Sequence, residues 1–420
     1  MKIEYICIEN FRGIRRFEVD RLSALNVIAG ANGAGKTSVL TAVKILLSWL
    51  IARLRNPRGR GLAVSDSDIT RGADFCTLRL RLDNGVEWQI YKQRSSVRRA
   101  SSAETRLADM TQYANIVAEQ VAASPETADL MLIDAYGVNR VVDETPMRVR
   151  KTHKLSPLDA LSVEMSNSVN FHDLFTWYRE MEDIENERMR ETGTLVTDRR
   201  LDAVRCTITD FMDGYGDFRV QRSPKAFVIS KDGVKFNFNE LSDGEKSYLA
   251  LVMDISRKLA MTHPAMDDPR KGEGIILIDE IDLHLHPAWQ RTVLEKMRKA
   301  FPNCQFLITT HSPLVVSGVN MIGGDILLAI KDGDVHIIEE NQYGQETDMV
   351  LSDVFGMDSL RPPVVQQHID RVWELLKAGD CSSSDFASAF GWLQRHIDAA
   401  DPVFMQVRMQ MALTKKEAGR

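Results

Sequence analysis

The sequence is short of several things, and each shortage closes off a class of function. Cysteine is scarce: five residues, Cys7, Cys76, Cys206, Cys304 and Cys381, with no C-x-x-C pair among them. That spacing gives neither a disulfide framework nor a cysteine zinc site, and it suits a reducing, cytoplasmic setting. Long apolar runs are missing as well. The longest, residues 45–52, falls far below the ~20 residues that cross a bilayer. The opening residues 2–8 alternate like a strand and lack the apolar core of a signal peptide, so no membrane partner is expected. Basic charge is not in excess, since 53 Lys and Arg stand against 59 Asp and Glu. A net charge of −6 argues against a surface coated for nucleic acid, though it allows a local basic patch. Sustained heptads are absent too, which excludes a long coiled coil.

What is present is a globular composition, 44% hydrophobic and 27% charged, on a chain long enough for two or three lobes. Its centre is Gly30-Ala31-Asn32-Gly33-Ala34-Gly35-Lys36-Thr37, the pattern G-x-x-x-x-G-K-[ST]. Residues 25–29 before it read as a buried strand. Residues 38–53 after it read as a helix, with Val39, Val43, Leu46, Leu47 and Leu50 at helical spacing. Strand, glycine loop and helix start together form a phosphate cradle: backbone N–H groups converge on the anion and the helix dipole favours it. Lys36 then reaches the β- and γ-phosphates, and the Thr37 hydroxyl, next to Ser38, is placed for Mg²⁺. Upstream, the turn at residues 9–13 offers Arg12 as a cation that folds back over phosphates, or equally as a surface arginine.

Three further stretches carry chemistry. Leu241-Ser242-Asp243-Gly244-Glu245 opens a helix; Ser242-x-x-Glu245 is a capping box, and the same serine and glycine make an anion-binding end. Residues 274–278 read as a buried strand ending in Asp279 and Glu280, placed to hold Mg²⁺ and to deprotonate an attacking water. The strand at residues 305–310 ends in His311, where an imidazole can sense a γ-phosphate. His284 and His286 lack a third ligand at metal spacing and read as a loop facing a partner subunit. Basic runs at 92–106 and 148–154 are solvated faces or contacts for nucleic acid or an acidic protein. The stripe Phe171, Leu174, Phe175, Tyr178 and Met181 reads as core.

In this order the motifs resemble the ABC-type ATPases of the SMC/RecF branch, and within it the stand-alone ATPases of bacterial anti-phage systems: the Septu, retron-associated and overcoming-lysogenization-defect kinds. The resemblance covers residues 1–55 and 215–330 and is looser elsewhere, where residues 136–140, 353–356 and 361–363 look like features of the short defence ATPases. It implies an α/β P-loop head split as 1–94 and 215–340, with an inserted helical subdomain at 95–214 and a helical tail at 341–420. It further implies two heads paired head-to-tail around ATP and Mg²⁺. Residues 30–38 and Arg12 then bind ATP in cis, and Ser242 and Gly244 cap the γ-phosphate in trans. Thr37 and Asp279 serve Mg²⁺, Glu280 the water, Asp282 the dimer loop and His311 the switch. Asn139 stands where a glutamine loop usually sits. No zinc-hook pair, acidic nuclease cluster or His-Asn-His pattern is found, so the resemblance implies a homo-oligomeric ATPase acting with a separately encoded nuclease or toxin. A RecF-like clamp on DNA is the alternative, and a nuclease centre within residues 320–420 is a third reading.

Overall fold

The runs of unbroken apolar sequence become the parallel centre of a large sheet. In the computed structural model, residues 1–97, 104–138, 140, 156–165, 169–194, 197–223, 225–331, 333–357 and 359–418 are described. In chain order the strands are β1 (Ile3–Phe11), β2 (Ile14–Asp20), β3 (Leu25–Ala29), β4 (Phe75–Leu82), β5 (Glu87–Gln93), β6 (Leu132–Tyr136), β7 (Tyr215–Arg222), β8 (Lys225–Lys231), β9 (Val234–Asn237), β10 (Gly274–Ile278), β11 (Cys304–Thr310), β12 (Ile326–Lys331) and β13 (Asp334–Ile337). The helices of the first 350 residues are α1 (Lys36–Arg55), α2 (Ala108–Ala123), α3 (Phe171–Thr192), α4 (Arg199–Phe211), α5 (Asp243–Thr262), α6 (Pro287–Gln290), α7 (Val293–Ala300) and α8 (Pro313–Val316).

Ten strands form one sheet in the order β5-β4-β1-β2-β13-β12-β3-β11-β10-β6. From β12 to β6 every pair is parallel. There β3, β6, β10 and β11 are buried at every residue, as strands covered on both faces must be. The β5-β4-β1-β2 wing is antiparallel. Its β4 alternates buried and half-buried positions, which is the pattern of a sheet with one wet face. This is the expected α/β P-loop head. Among the described residues one helix, α1, is long and apolar enough to span a membrane, and 67% of that window is buried inside the protein. It is the core helix that follows the phosphate loop.

The segment 95–214, expected as a helical insert, also supplies β6, which pairs in register with β10 along its length. All five residues of β6 are buried, Asp134 among them through its pairing with Lys258. The chain after residue 214 forms a three-stranded sheet, β7-β8-β9. They pack on α3 through a cluster of rings, with Phe227 4.7 Å from Phe175 and 4.5 Å from Phe218 between centroids. All five residues of the expected α3 stripe are buried.

Helix α5 is tied to β6 by charge. Asp254, fully buried, accepts from Tyr136 Oη at 3.0 Å and pairs with Arg257 at 2.6 Å and Lys258 at 2.8 Å. Lys258 also reaches Asp134 at 2.5 Å. Burial alone would raise the Asp254 carboxyl, but the two cations hold it down to about 2. Removing one member of such a set would strand a buried charge, at a cost of about 3–5 kcal/mol.

Leu351–Arg420 forms a second unit, the boundary falling within α9 (Thr347–Asp353). In it α10 (Pro363–Lys377), α11 (Ser384–His396) and α12 (Pro402–Ala418) enclose Val372, Leu376, Phe386, Leu393, Phe404 and Val407.

Candidate functional site

The carboxyl ends of β3, β10 and β11 lie side by side, so the residues that follow each strand meet. After β3 the loop 30–35 runs into α1 with Gly35 at the N-cap, φ 110°, a left-handed conformation that suits glycine. No side chain caps this end, and its first turn holds no acid. Ala31, Asn32 and Gly33 are exposed, with Ala34, Gly35 and Ser38 partly so. The first backbone donors of α1 therefore have no side-chain acceptor of their own.

Lys36 folds back over the loop. Its Nζ donates to the carbonyls of Gly30 and Ala31, both at 2.9 Å, and lies 3.1 Å from His311 Nδ1. Burial pushes the ammonium below its ordinary range, against the pull of Glu280, Asp279 and Asp282. His311 faces Gly30 O at 3.0 Å through Nδ1 and Glu280 Oε1 at 3.2 Å through Nε2. Thr37 Oγ1 donates to Asp279 Oδ1 at 3.2 Å. A hydroxyl and a carboxylate in contact at the start of a helix are two hard oxygen ligands, the donor type that Mg²⁺ takes. Lys36, Thr37, Asp279, Glu280 and His311 thus come together as one cluster.

Two threonines at the end of β11 hold the acidic loop. Thr309 Oγ1 donates to Asp279 Oδ1 at 2.6 Å and accepts from the Glu280 N–H at 2.8 Å. Thr310 Oγ1 donates to Asp282 Oδ1 at 2.5 Å. Glu280 itself is left-handed, φ 48°, a conformation that costs a non-glycine residue about 1–3 kcal/mol and persists only where its neighbours enforce it.

Arg12 sits at the edge of this cluster. Its side chain donates to Asp68 Oδ1 at 2.9 Å and to Thr41 Oγ1, on the second turn of α1, at 3.4 Å. That turn lies directly beyond Thr37, whose carbonyl accepts from Thr41 Oγ1 at 2.6 Å.

Ser242 and Gly244 stand apart: among the described residues no hydrogen bond joins them to residues 30–37. Ser242 caps α5 in a full capping box, its N–H and Oγ donating to Glu245 Oε2 at 2.9 and 2.8 Å. The other oxygen of Glu245 accepts from Lys231 Nζ at 2.8 Å and from Tyr215 Oη. Burial opposes ionisation of Glu245, yet the hydrogen bonds from Lys231, Tyr215 and Ser242 bring it down to about 2. Gly244 packs under the loop after Glu280, where an added Cβ would lie 2.3 Å from His284 O. His286 caps α6 through Nδ1.

Sequence reasoning gave no role to Thr309, Asp68 or the Tyr215–Lys231 pair, and it placed Arg140 only within the stretch 136–140, with no role of its own. The cue for Arg140 was its place just past a buried strand; Asn139, from the same loop, lies outside the described residues. Of the basic runs, Lys92 pairs with Asp66 at 2.9 Å, and Arg94 donates to the carbonyls of Ala73, Ile69 and Thr70. Both close a local loop. Arg98, Arg99 and the run 148–154 lie outside the described residues.

Comparison with known proteins gives a family and several relatives. A family profile described as "AAA domain, putative AbiEii toxin, Type IV TA system" matches residues 25–317. "Retron Vc95 probable ATPase" of Vibrio cholerae serotype O1 biovar El Tor is 28% identical, over 84% of this chain and 77% of its own. "Septu protein PtuA" of Bacillus thuringiensis is 24% identical over 98% of each chain. Among solved structures, the SMC head domain from Thermotoga maritima superposes with a TM-score of 0.43 at 14% identity, over 80% of this chain and 98% of that one.

Proposed function

The chain belongs to that AAA-domain family, and from this premise we propose that it binds and hydrolyses ATP as the sensor or regulator of a bacterial anti-phage defence complex. In this reading it acts with a separately encoded nuclease or toxin. The observation that carries the enzymatic part is the single cluster of Lys36, Thr37, Asp279, Glu280 and His311 around an uncapped helix end. The likeness to retron ATPases and to a Septu protein supports the defence role, because it runs over most of the chain rather than over the phosphate loop alone.

Each residue has a task in this reading. The N–H groups of residues 33–37 and the Lys36 ammonium grip the β- and γ-phosphates, and Arg12 adds positive charge from the β1–β2 turn. Thr37 and Asp279 would hold Mg²⁺, which when bound offsets phosphate charge. Glu280 takes a proton from the attacking water, and His311, in contact with both Glu280 and the phosphate loop, registers the γ-phosphate. Ser242 and Gly244 would serve a second copy's nucleotide, a role supported by the lack of any hydrogen bond from them to residues 30–37 among the described residues, and Asp282 would serve the loop between paired heads. The repair-clamp alternative is less favoured, since the likeness over most of the chain is to retron and Septu proteins.

The test is Glu280→Gln in the full chain. ATP binding is expected to stay near the wild-type level while turnover falls by about 10²–10⁴-fold, with paired heads accumulating on a sizing column in ATP. Unchanged turnover would remove Glu280 from its role.

A further inference from the structure

One buried cation in the site is explained neither by the phosphate loop nor by any strand pattern. Arg140 is 5% exposed and forms no ion pair with a described residue. It donates instead to main-chain carbonyls: Nε to Gly137 O at 2.9 Å, and one terminal nitrogen to both Asp279 O and Glu280 O, the latter at 2.8 Å. Burial brings the guanidinium down to about 10, against the favourable field of Asp279, Asp282 and Glu280. A cation desolvated this far is retained only where acceptors and opposite charge compensate it. Here the acceptors are the two carbonyls that flank the left-handed Glu280.

The direction of the Glu280 carboxylate follows from its Cα–Cβ bond, and hence from its backbone angles. Backbone and side-chain bonds fix those angles together: Glu280 O also accepts from the Leu283 N–H, and the Ile281 N–H reaches Thr309 O, both at 3.0 Å. Thr309 accepts the Glu280 N–H at 2.8 Å, and Arg140 takes the carbonyls on both sides of the residue. We infer that Arg140 is a positioning residue: it holds Glu280 in its left-handed conformation, so that the carboxylate leaves the chain toward the phosphate loop and His311. Ser247 on α5 donates to Arg140's own carbonyl at 3.1 Å, which joins the clamp to the helix that starts at Ser242. The inference rests on the ATPase reading above, in which Glu280 activates water.

The experiment compares full-length wild type, Arg140→Gln, Arg140→Lys and Ser247→Ala. It measures steady-state ATP hydrolysis, binding of a fluorescent ATP analogue, and hydrogen exchange in the peptide 276–283. Arg140→Gln is expected to slow turnover by about 10–100-fold, with analogue affinity held within about threefold and faster exchange in that peptide. Arg140→Lys, a single point donor in place of a fork, recovers only part of the rate. Ser247→Ala costs about threefold, the worth of one hydrogen bond. A purely structural arginine would instead lower thermal stability and weaken binding and turnover together. Wild-type turnover in Arg140→Gln overturns the inference. If that variant fails to fold, wild-type turnover in both Arg140→Lys and Ser247→Ala overturns it. A wild-type chain with no more hydrolysis than Lys36→Ala would sink the ATPase reading itself, a distinct result.

Discussion

Two helices of this head begin at glycine-bearing motifs, and their N-termini are built in opposite ways. Helix α1 starts at Gly35 with no side-chain cap and no acid in its first turn. Helix α5 starts at Ser242 inside a closed capping box, with Asp243 and Glu245 in its first turn and Glu245 locked by Lys231 and Tyr215. The first end leaves donors and positive dipole for an anion to use. The second ties the Ser242 hydroxyl and the N–H groups of Ser242 and Glu245 to its own chain. An end that grips a phosphate needs to be bare, whereas a capped end holds its first turn in place.

The widest test of this contrast is Lys36→Ala, which strips the bare end of its cation. Burial depresses the Lys36 ammonium, so the charge is held in the folded chain at a cost, and its loss should not lower thermal stability. ATP affinity should nonetheless fall by about 100-fold, the order expected for losing charge-assisted bonds to phosphate, as read by titration calorimetry. A variant that melts early but binds ATP normally would make Lys36 a structural residue and end the comparison.

The bare end was legible in the sequence because everything it needs is local: a buried strand, a fixed glycine spacing and a helix, all within residues 25–55. The acidic pair and His311 were legible for the same reason, each following an apolar strand. What could not be read was whatever depends on pairing across the chain. Leu132–Tyr136 is a short, mostly apolar stretch that says nothing of its neighbour, and only the fold places it beside β10. Arg140 follows from that placement, since its carbonyl partners lie about 140 residues away. Glu245 was readable as a cap, whereas its lock was not, because Tyr215 and Lys231 meet it only after β7 and β8 pair, with Tyr215 opposite Lys231.

A sharper test separates the two meanings of Ser242. Asparagine caps a helix about as well as serine, so Ser242→Asn should keep stability within about 0.5 kcal/mol, where Ser242→Ala loses about 1 kcal/mol. If the hydroxyl also serves a second copy's γ-phosphate, Ser242→Asn still slows hydrolysis, by about tenfold, at unchanged stability. Full turnover in Ser242→Asn would reduce the serine to a cap and remove the reason for pairing heads.

The smallest expected effect lies one layer further out. Glu245 has its carboxyl lowered from 4.5 to about 2 in the folded chain, hydrogen bonds outweighing burial. A folded-state value below the unfolded one means that the unfolded chain binds the proton first. The stabilisation is therefore fully present above about pH 4.5 and drains away as pH falls toward 2. Tyr215→Phe removes one of the donors, so part of that stabilisation is lost at neutral pH and acid unfolding should begin at a higher pH, as followed by thermal melts at pH 7 and by circular dichroism across the acid range. Hydrolysis at neutral pH is the discriminating measurement. Ser242 donates to the oxygen of Glu245 opposite the one Tyr215 holds, so loosening one side should let the serine wander and cut turnover about twofold to threefold. An acid shift with wild-type turnover would confine the three-stranded sheet to structural support. A fall in turnover at normal ATP affinity would tie that sheet, and α3 packed on it, to the surface one head offers another.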